Sequence, residues 1–110
     1  MGRMRVLIAN ELRSYREALA EALRHLRPEA EVVTAEPEGL ESRVSRFAPH
    51  VVVCDRATGT VHALPSWIEL YPGYGSRSVV SARGERREVA EIQLSDLLDL
   101  VDQVDLAQQS

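Results

Sequence analysis

Apolar residues in this chain fall into short unbroken runs and into stripes at helical spacing, and the order of the two predicts its layout. Residues 6–9 (VLIA) form a continuous apolar run entered from a charged start, the pattern of a strand buried on both faces. Ser14-Tyr15-Arg16-Glu17 then reads as a capping box. Tyr15, Ala18, Leu19, Ala22, Leu23 and Leu26 follow on one helical face, and Pro28 stops the helix. Residues 31–35 (EVVTA) predict a less apolar edge strand. Leu40, Val44 and Phe47 mark a short helix closed by Pro49, and residues 50–55 (HVVVCD) predict a second buried strand ending on an acid. Strand, helix, strand, helix, strand at this pace makes two right-handed crossover units.

The second half is less regular. Residues 58–64 allow a turn or two of helix before Pro65, and residues 67–71 (WIELY) are β-prone up to Pro72-Gly73. Residues 78–82 (SVVSA) and 86–92 (RREVAEI) flank Arg83-Gly84-Glu85. That gap is too short for a crossover helix, so the two runs predict an antiparallel hairpin. Ser95 is placed to cap a last helix carrying Leu94, Leu97, Leu98, Val101 and Val104. Either residues 67–71 or residues 78–82 supply the fourth strand, and the first mapping is favoured. The expectation is one α/β domain over residues 1–110: three layers, a doubly wound and mainly parallel sheet, and strand order 2-1-3-4-5. A C-terminal antiparallel hairpin is added at one edge.

Charge narrows the function classes. All 13 basic residues are arginine, which excludes Schiff-base lysines, P-loop lysines and Ser-Lys dyads. The net charge of −4 argues against a nucleic-acid partner, because phosphate binding needs a basic face. The acidic excess lies in Asp96, Asp99, Asp102 and Asp105 of the last helix, which marks that helix as a contact surface as well as core. No apolar run is long enough to span a membrane, and Met1-Gly2-Arg3-Met4-Arg5 lacks a signal-peptide core. A single cysteine, Cys54, makes a cytoplasmic location the expectation.

In an open parallel sheet, functional groups collect beyond the carboxyl ends of the strands. Those positions here hold Asn10 and Glu11 after the first strand and Asp55 after the third. Two acids and an amide meeting there suit a hard cation such as Mg²⁺. The order Val6-Leu7-Ile8-Ala9-Asn10-Glu11, then Arg16-Glu17-Ala18-Leu19, then Val51-Val52-Val53-Cys54-Asp55, resembles the first half of response-regulator receiver domains. These are flavodoxin-like, CheY-like modules of two-component signalling and phosphorelays. The resemblance implies that Asp55 accepts a phosphoryl group, with a histidine kinase as a partner. It also implies that Glu11, Asp55 and the carbonyl of Ala57 hold Mg²⁺, with Asn10 as a weaker ligand.

The chain departs from that family in three ways. Its acidic pair is Asn10-Glu11, which lowers charge, moves the ligand oxygen and weakens Mg²⁺ binding. The family's signalling lysine has no counterpart; Arg86 or Arg87 could replace its charge but not its flexible ammonium. The switch hydroxyl falls on Ser81 by one mapping and is replaced by Tyr71 by the other. The resulting expectation is a stand-alone pseudo-receiver that is not an enzyme, with no catalytic residues, and that acts through a protein partner or as a homodimer. Phosphorylation at Asp55 is expected to be impaired. The alternative is a small Mg²⁺-dependent phosphotransfer enzyme using Asp55 and Glu11.

Other signals read more plainly. Cys54, with His50 and His62 nearby, is a buried small hydrophobe rather than a nucleophile, and His25 is solvated. Gly73-Tyr74-Gly75 is a turn, and Arg83, Arg86 and Arg87 make a solvated hairpin tip.

Overall fold

The unbroken apolar runs become the centre of the sheet. In the computed structural model, which describes residues 3–70 and 77–109, the elements follow one another in this order. First come β1 (Arg5–Ala9), α1 (Arg13–Leu26), β2 (Glu31–Thr34), a 3₁₀ turn at Pro37–Gly39 and α2 (Leu40–Phe47). Then come β3 (Val51–Cys54), α3 (Gly59–His62), β4 (Trp67–Glu69), β5 (Arg77–Ala82), β6 (Glu85–Ala90) and α4 (Leu94–Gln109). The described strands form one mixed sheet in the order β2-β1-β3-β4-β5-β6. The first four are parallel, and β5 and β6 run antiparallel to their neighbours.

Central strands need apolar side chains on both faces, and β1 and β3 supply them. Val6, Ile8, Val51 and Val53 point into one core with Ala20 and Leu23 of α1 and Leu97, Leu100 and Val101 of α4. Leu7, Val52 and Cys54 point into the other with Leu40, Val44, Val61 and Trp67. The two cores hold the sheet between α1 and α4 on one side and α2 and α3 on the other. Each fully buried aliphatic side chain contributes about 1.5–3 kcal/mol relative to exposure.

The fourth strand is Trp67–Glu69, paired with β3 through Val52↔Trp67, Val53↔Ile68 and Cys54↔Glu69. Tyr71 and Gly73-Tyr74-Gly75 lie outside the described residues. The β5–β6 hairpin closes through Arg83 and Gly84, with φ of 54° and 91°. Two left-handed residues in a two-residue loop match the right-handed twist of the flanking strands. The turn is tied back to the loop before β4: Gly84 N–H donates to the Pro65 carbonyl (2.8 Å) and Arg83 N–H to Ser66 Oγ (3.2 Å).

Two helix starts differ from the sequence reading. α1 begins at Arg13, so Ser14 lies inside the first turn and no side chain caps the helix. The earlier start lets Arg13 reach Glu17 at 2.8 Å and turns Arg16 inward. The buried stripe is accordingly rotated: Arg16, Ala20 and Leu23 are buried, whereas Tyr15 and Leu26 are 46% and 41% exposed. α4 begins at Leu94 rather than after Ser95, because the Asp96 carboxylate reaches back to the Gln93 N–H at 2.7 Å.

Candidate functional site

The pairing of β1 with β3 brings Ala9 beside Cys54, so the residues that follow, Asn10-Glu11 and Asp55, meet at the carboxyl end of the sheet. Asn10 Nδ2 donates to Asp55 Oδ1 at 2.8 Å, and the Glu11 backbone N–H donates to Oδ2 at 2.5 Å. The opposite amide orientation would set the Asn10 oxygen against a carboxylate oxygen, so the nitrogen faces Asp55. Asn10 is 1% exposed, and its Oδ1 is buried with no hydrogen-bond partner among the described residues.

Two residues that the sequence reading gave no role complete this end of the sheet. Arg16 is buried, and its Nη1 donates to the Asn10 carbonyl at 2.9 Å, fixing the turn out of β1. Glu69 closes β4 and accepts the Ala57 N–H at 2.7 Å, fixing the loop out of β3. The signal for Glu69 was its place at the end of a β-prone run. Arg16 had none, since an arginine on a helix is usually solvated. Glu11, Glu38, Asp55, Arg56 and Thr58 line an open cleft of about 580 Å³ over these loops. Behind it, Glu41 accepts from the Thr60 hydroxyl, and hydrogen bonds from Thr60 and Thr58 hold its carboxyl below the usual range.

The arrangement does not fit a resident Mg²⁺. That ion requires near-octahedral oxygen ligation, supplied by carboxylates and water. Here Asn10 turns its nitrogen rather than its oxygen to Asp55, and both Asp55 oxygens already accept N–H bonds. Glu11 contributes its backbone amide, and its side chain is exposed. Among the described residues, no three or more His, Cys, Asp or Glu side chains are grouped to hold a metal ion.

The other candidate residues lie elsewhere. Ser81 pairs with Trp67 at the start of β4, the end of the sheet opposite Asp55, and its hydroxyl donates to the Pro65 carbonyl at 3.1 Å. Arg86 and Arg87 lie on β6, three strands from β3, and the Arg86 guanidinium sits 5.1 Å from the Trp67 ring centroid. Neither arginine meets Asp55.

Cys54 is buried against α2, and desolvation, with the nearby charges of Glu69 and Asp55, pushes its thiol up to about 12. His62 packs edge-on to Trp67, while His50 precedes β3 and accepts the Arg5 N–H at 2.9 Å. Burial and the Arg5 charge lower the His50 pKa. His25 is exposed. Among the described residues no helix is long and apolar enough to cross a membrane.

Comparison with known proteins adds no relative. No protein-family model, curated protein or solved structure matches this chain.

Proposed function

We propose that this chain is a receiver-like signalling module of CheY-like, doubly wound type. Its phospho-acceptor position has become a hydrogen-bonded latch, and the module works by binding a protein partner. The observation that carries this reading is the meeting of Asp55, at the end of β3, with Asn10 and the Glu11 amide at the end of β1. In a working phospho-acceptor, the carboxylate must stay free to attack and a cation must neutralise the developing charge. Asp55 is instead held by two N–H donors, one of them from a residue where a second acid would stand. Signalling without turnover then rests on surfaces, and a phosphohistidine donor is the partner class whose chemistry this site serves least well.

The test is thermal melting with beryllofluoride, a phosphoryl mimic, with and without Mg²⁺. The wild-type chain is expected to show no Mg²⁺-dependent shift. Asn10→Asp replaces the amide donor with a ligand oxygen and is expected to gain one, and Asp55→Asn in that background to lose it. A Mg²⁺-dependent stabilisation of the wild type, abolished by Asp55→Asn, would restore a functional phosphoryl site and overturn the latch. Failure of Asn10→Asp to respond would count against the receiver-like reading itself.

A further inference from the structure

We propose that the outer edge of β6 pairs antiparallel with β6 of a second copy of this chain, joining two six-stranded sheets into one. The inference stands on the edge alone and does not depend on what Asp55 does.

The hairpin sets which backbone groups are free. A two-residue turn makes Ala82 and Glu85 a mutually hydrogen-bonded pair, and such pairs alternate along an antiparallel ladder. Glu85, Arg87 and Val89 therefore spend their N–H and C=O groups on β5. Arg86, Glu88 and Ala90 turn theirs outward, where β6 is the last strand of the sheet. Among the described residues no loop or side chain bonds these outward groups.

Sheet edges are usually blunted by proline, a bulge, short length or charged side chains. β6 runs six residues in unbroken register with no proline, and its only blunting device is the charge on Glu85, Arg86, Arg87 and Glu88. The opposite edge is treated differently, because Arg24 of α1 reaches over β2 and its Nη2 donates to the Val32 carbonyl at 2.9 Å. A twofold pairing uses the same edge of both copies, so it closes at two instead of growing into a fibre.

The side chains of β6 select the same partner. Glu85-Arg86-Arg87-Glu88 reads acid, base, base, acid. In an antiparallel pair, outward-bonding residues must face outward-bonding residues. A twofold axis through Arg87 meets that condition and sets Arg86 of each copy opposite Glu88 of the other. The two Arg87 side chains face each other at the axis, and each lies diagonal to Glu85 of the other copy, within reach of a long side chain. Two direct Arg86–Glu88 pairs and two diagonal Arg87–Glu85 pairs thus outnumber the one like-charge pair at the axis.

Sedimentation velocity over a concentration series tests the proposal. The wild-type mass is expected to rise from 12.3 kDa toward twice that value as concentration increases. Glu88→Pro removes an outward N–H without breaking a bond to β5, so this variant is expected to keep its far-UV circular dichroism and remain monomeric. Arg86→Glu and Glu88→Arg each put like charges opposite one another and are each expected to be monomeric. Mixed in equal amounts, they restore opposite charges at both positions and are expected to form a heterodimer. The mixing experiment decides the matter even if the proline variant fails to fold. A wild-type chain that stays monomeric at its highest soluble concentration, a dimer that survives Glu88→Pro, or two charge variants that do not associate when mixed would overturn the proposal.

Discussion

Replacing Asp55 with alanine separates a latch from an acid cluster by the sign of the stability change. In the structure the carboxylate accepts from Asn10 Nδ2 at 2.8 Å and from the Glu11 N–H at 2.5 Å. A hydrogen bond to a charged group contributes about 1.5–3 kcal/mol net. Asn10 is 1% exposed, so losing its acceptor strands an amide that already has an unpartnered oxygen. The Glu11 N–H is exposed and regains water, which limits its share to about 0.5–1 kcal/mol. Asp55→Ala is therefore expected to destabilise the fold by about 2–4 kcal/mol, a fall in Tm of about 8–16 °C for a domain of this size.

Urea unfolding followed by far-UV circular dichroism measures this directly, with the slope expected to stay unchanged. A cluster of acids held apart for a cation behaves in the opposite way. Glu11 and Glu38 line the same cleft, and if their repulsion with Asp55 dominated, removing one charge would raise stability. A stabilised Asp55→Ala variant, or one within about 0.5 kcal/mol of the wild type, would refute the latch.

The remaining predictions concern single groups. Cys54, with its thiol pushed up to about 12 by burial, is expected to react with a disulfide reagent in mildly alkaline buffer only as fast as the protein unfolds; prompt labelling of the native chain would contradict its place in the core. Arg27 grips Asp102 through both carboxylate oxygens, at 2.7 and 2.6 Å, and holds its pKa below the usual carboxylate range. A depressed folded pKa gives stability that is present above the unfolded value and lost as pH falls through the folded one. The difference in Tm between wild type and Asp102→Asn should therefore shrink on acidification; a pH-independent difference would refute the pairing. His50 follows the same sign, since burial and Arg5 favour its neutral form, and an NMR titration is expected to place its midpoint below about 6.5. Arg86→Ala is expected to shift the emission of the only tryptophan, Trp67, and to cost about 0.5–1 kcal/mol for the lost cation–π contact; an unchanged spectrum would remove that contact.

Much of the fold was legible because burial imposes period and composition together. Residues 6–9 and 51–54 read as buried strands of a parallel sheet, and their pairing carries Asn10 to Asp55. The hairpin was legible from the length of its gap. Helix starts were not, because the first turn can be satisfied from the side the pattern does not see. At α4, Asp96 reaches backward to Gln93, and at α1 the shift turns Arg16 toward Asn10. The direction of the Asn10 amide was equally hidden, since the sequence shows an amide and an acid at one edge but not which end of the amide faces the carboxylate. Glu69 joined the site through strand register, which places it beside Cys54, rather than through any motif.

On the receiver-like reading proposed above, the reversed direction of β5 matters more than the missing lysine. On a receiver-like layout the group that reads the phosphoryl stands at the carboxyl end of the fifth strand, beside the acceptor aspartate. Here β5 runs antiparallel to β4, so its carboxyl end, Ser81-Ala82, lies beside Trp67 at the far end of the sheet. Whatever follows β5 is delivered to that end, and Arg86 shows where it goes: onto the Trp67 ring rather than toward Asp55. On that reading a lysine at position 83, 86 or 87 would not reach Asp55, because strand direction rather than side-chain chemistry sets its place. The same chain direction makes β5 and β6 a hairpin whose outer strand turns backbone groups outward and carries charges in the order acid, base, base, acid. The distance of the β5 carboxyl end from Asp55 and the open edge at β6 both follow from this one chain direction. The edge proposed to join two copies is therefore remote from Asp55.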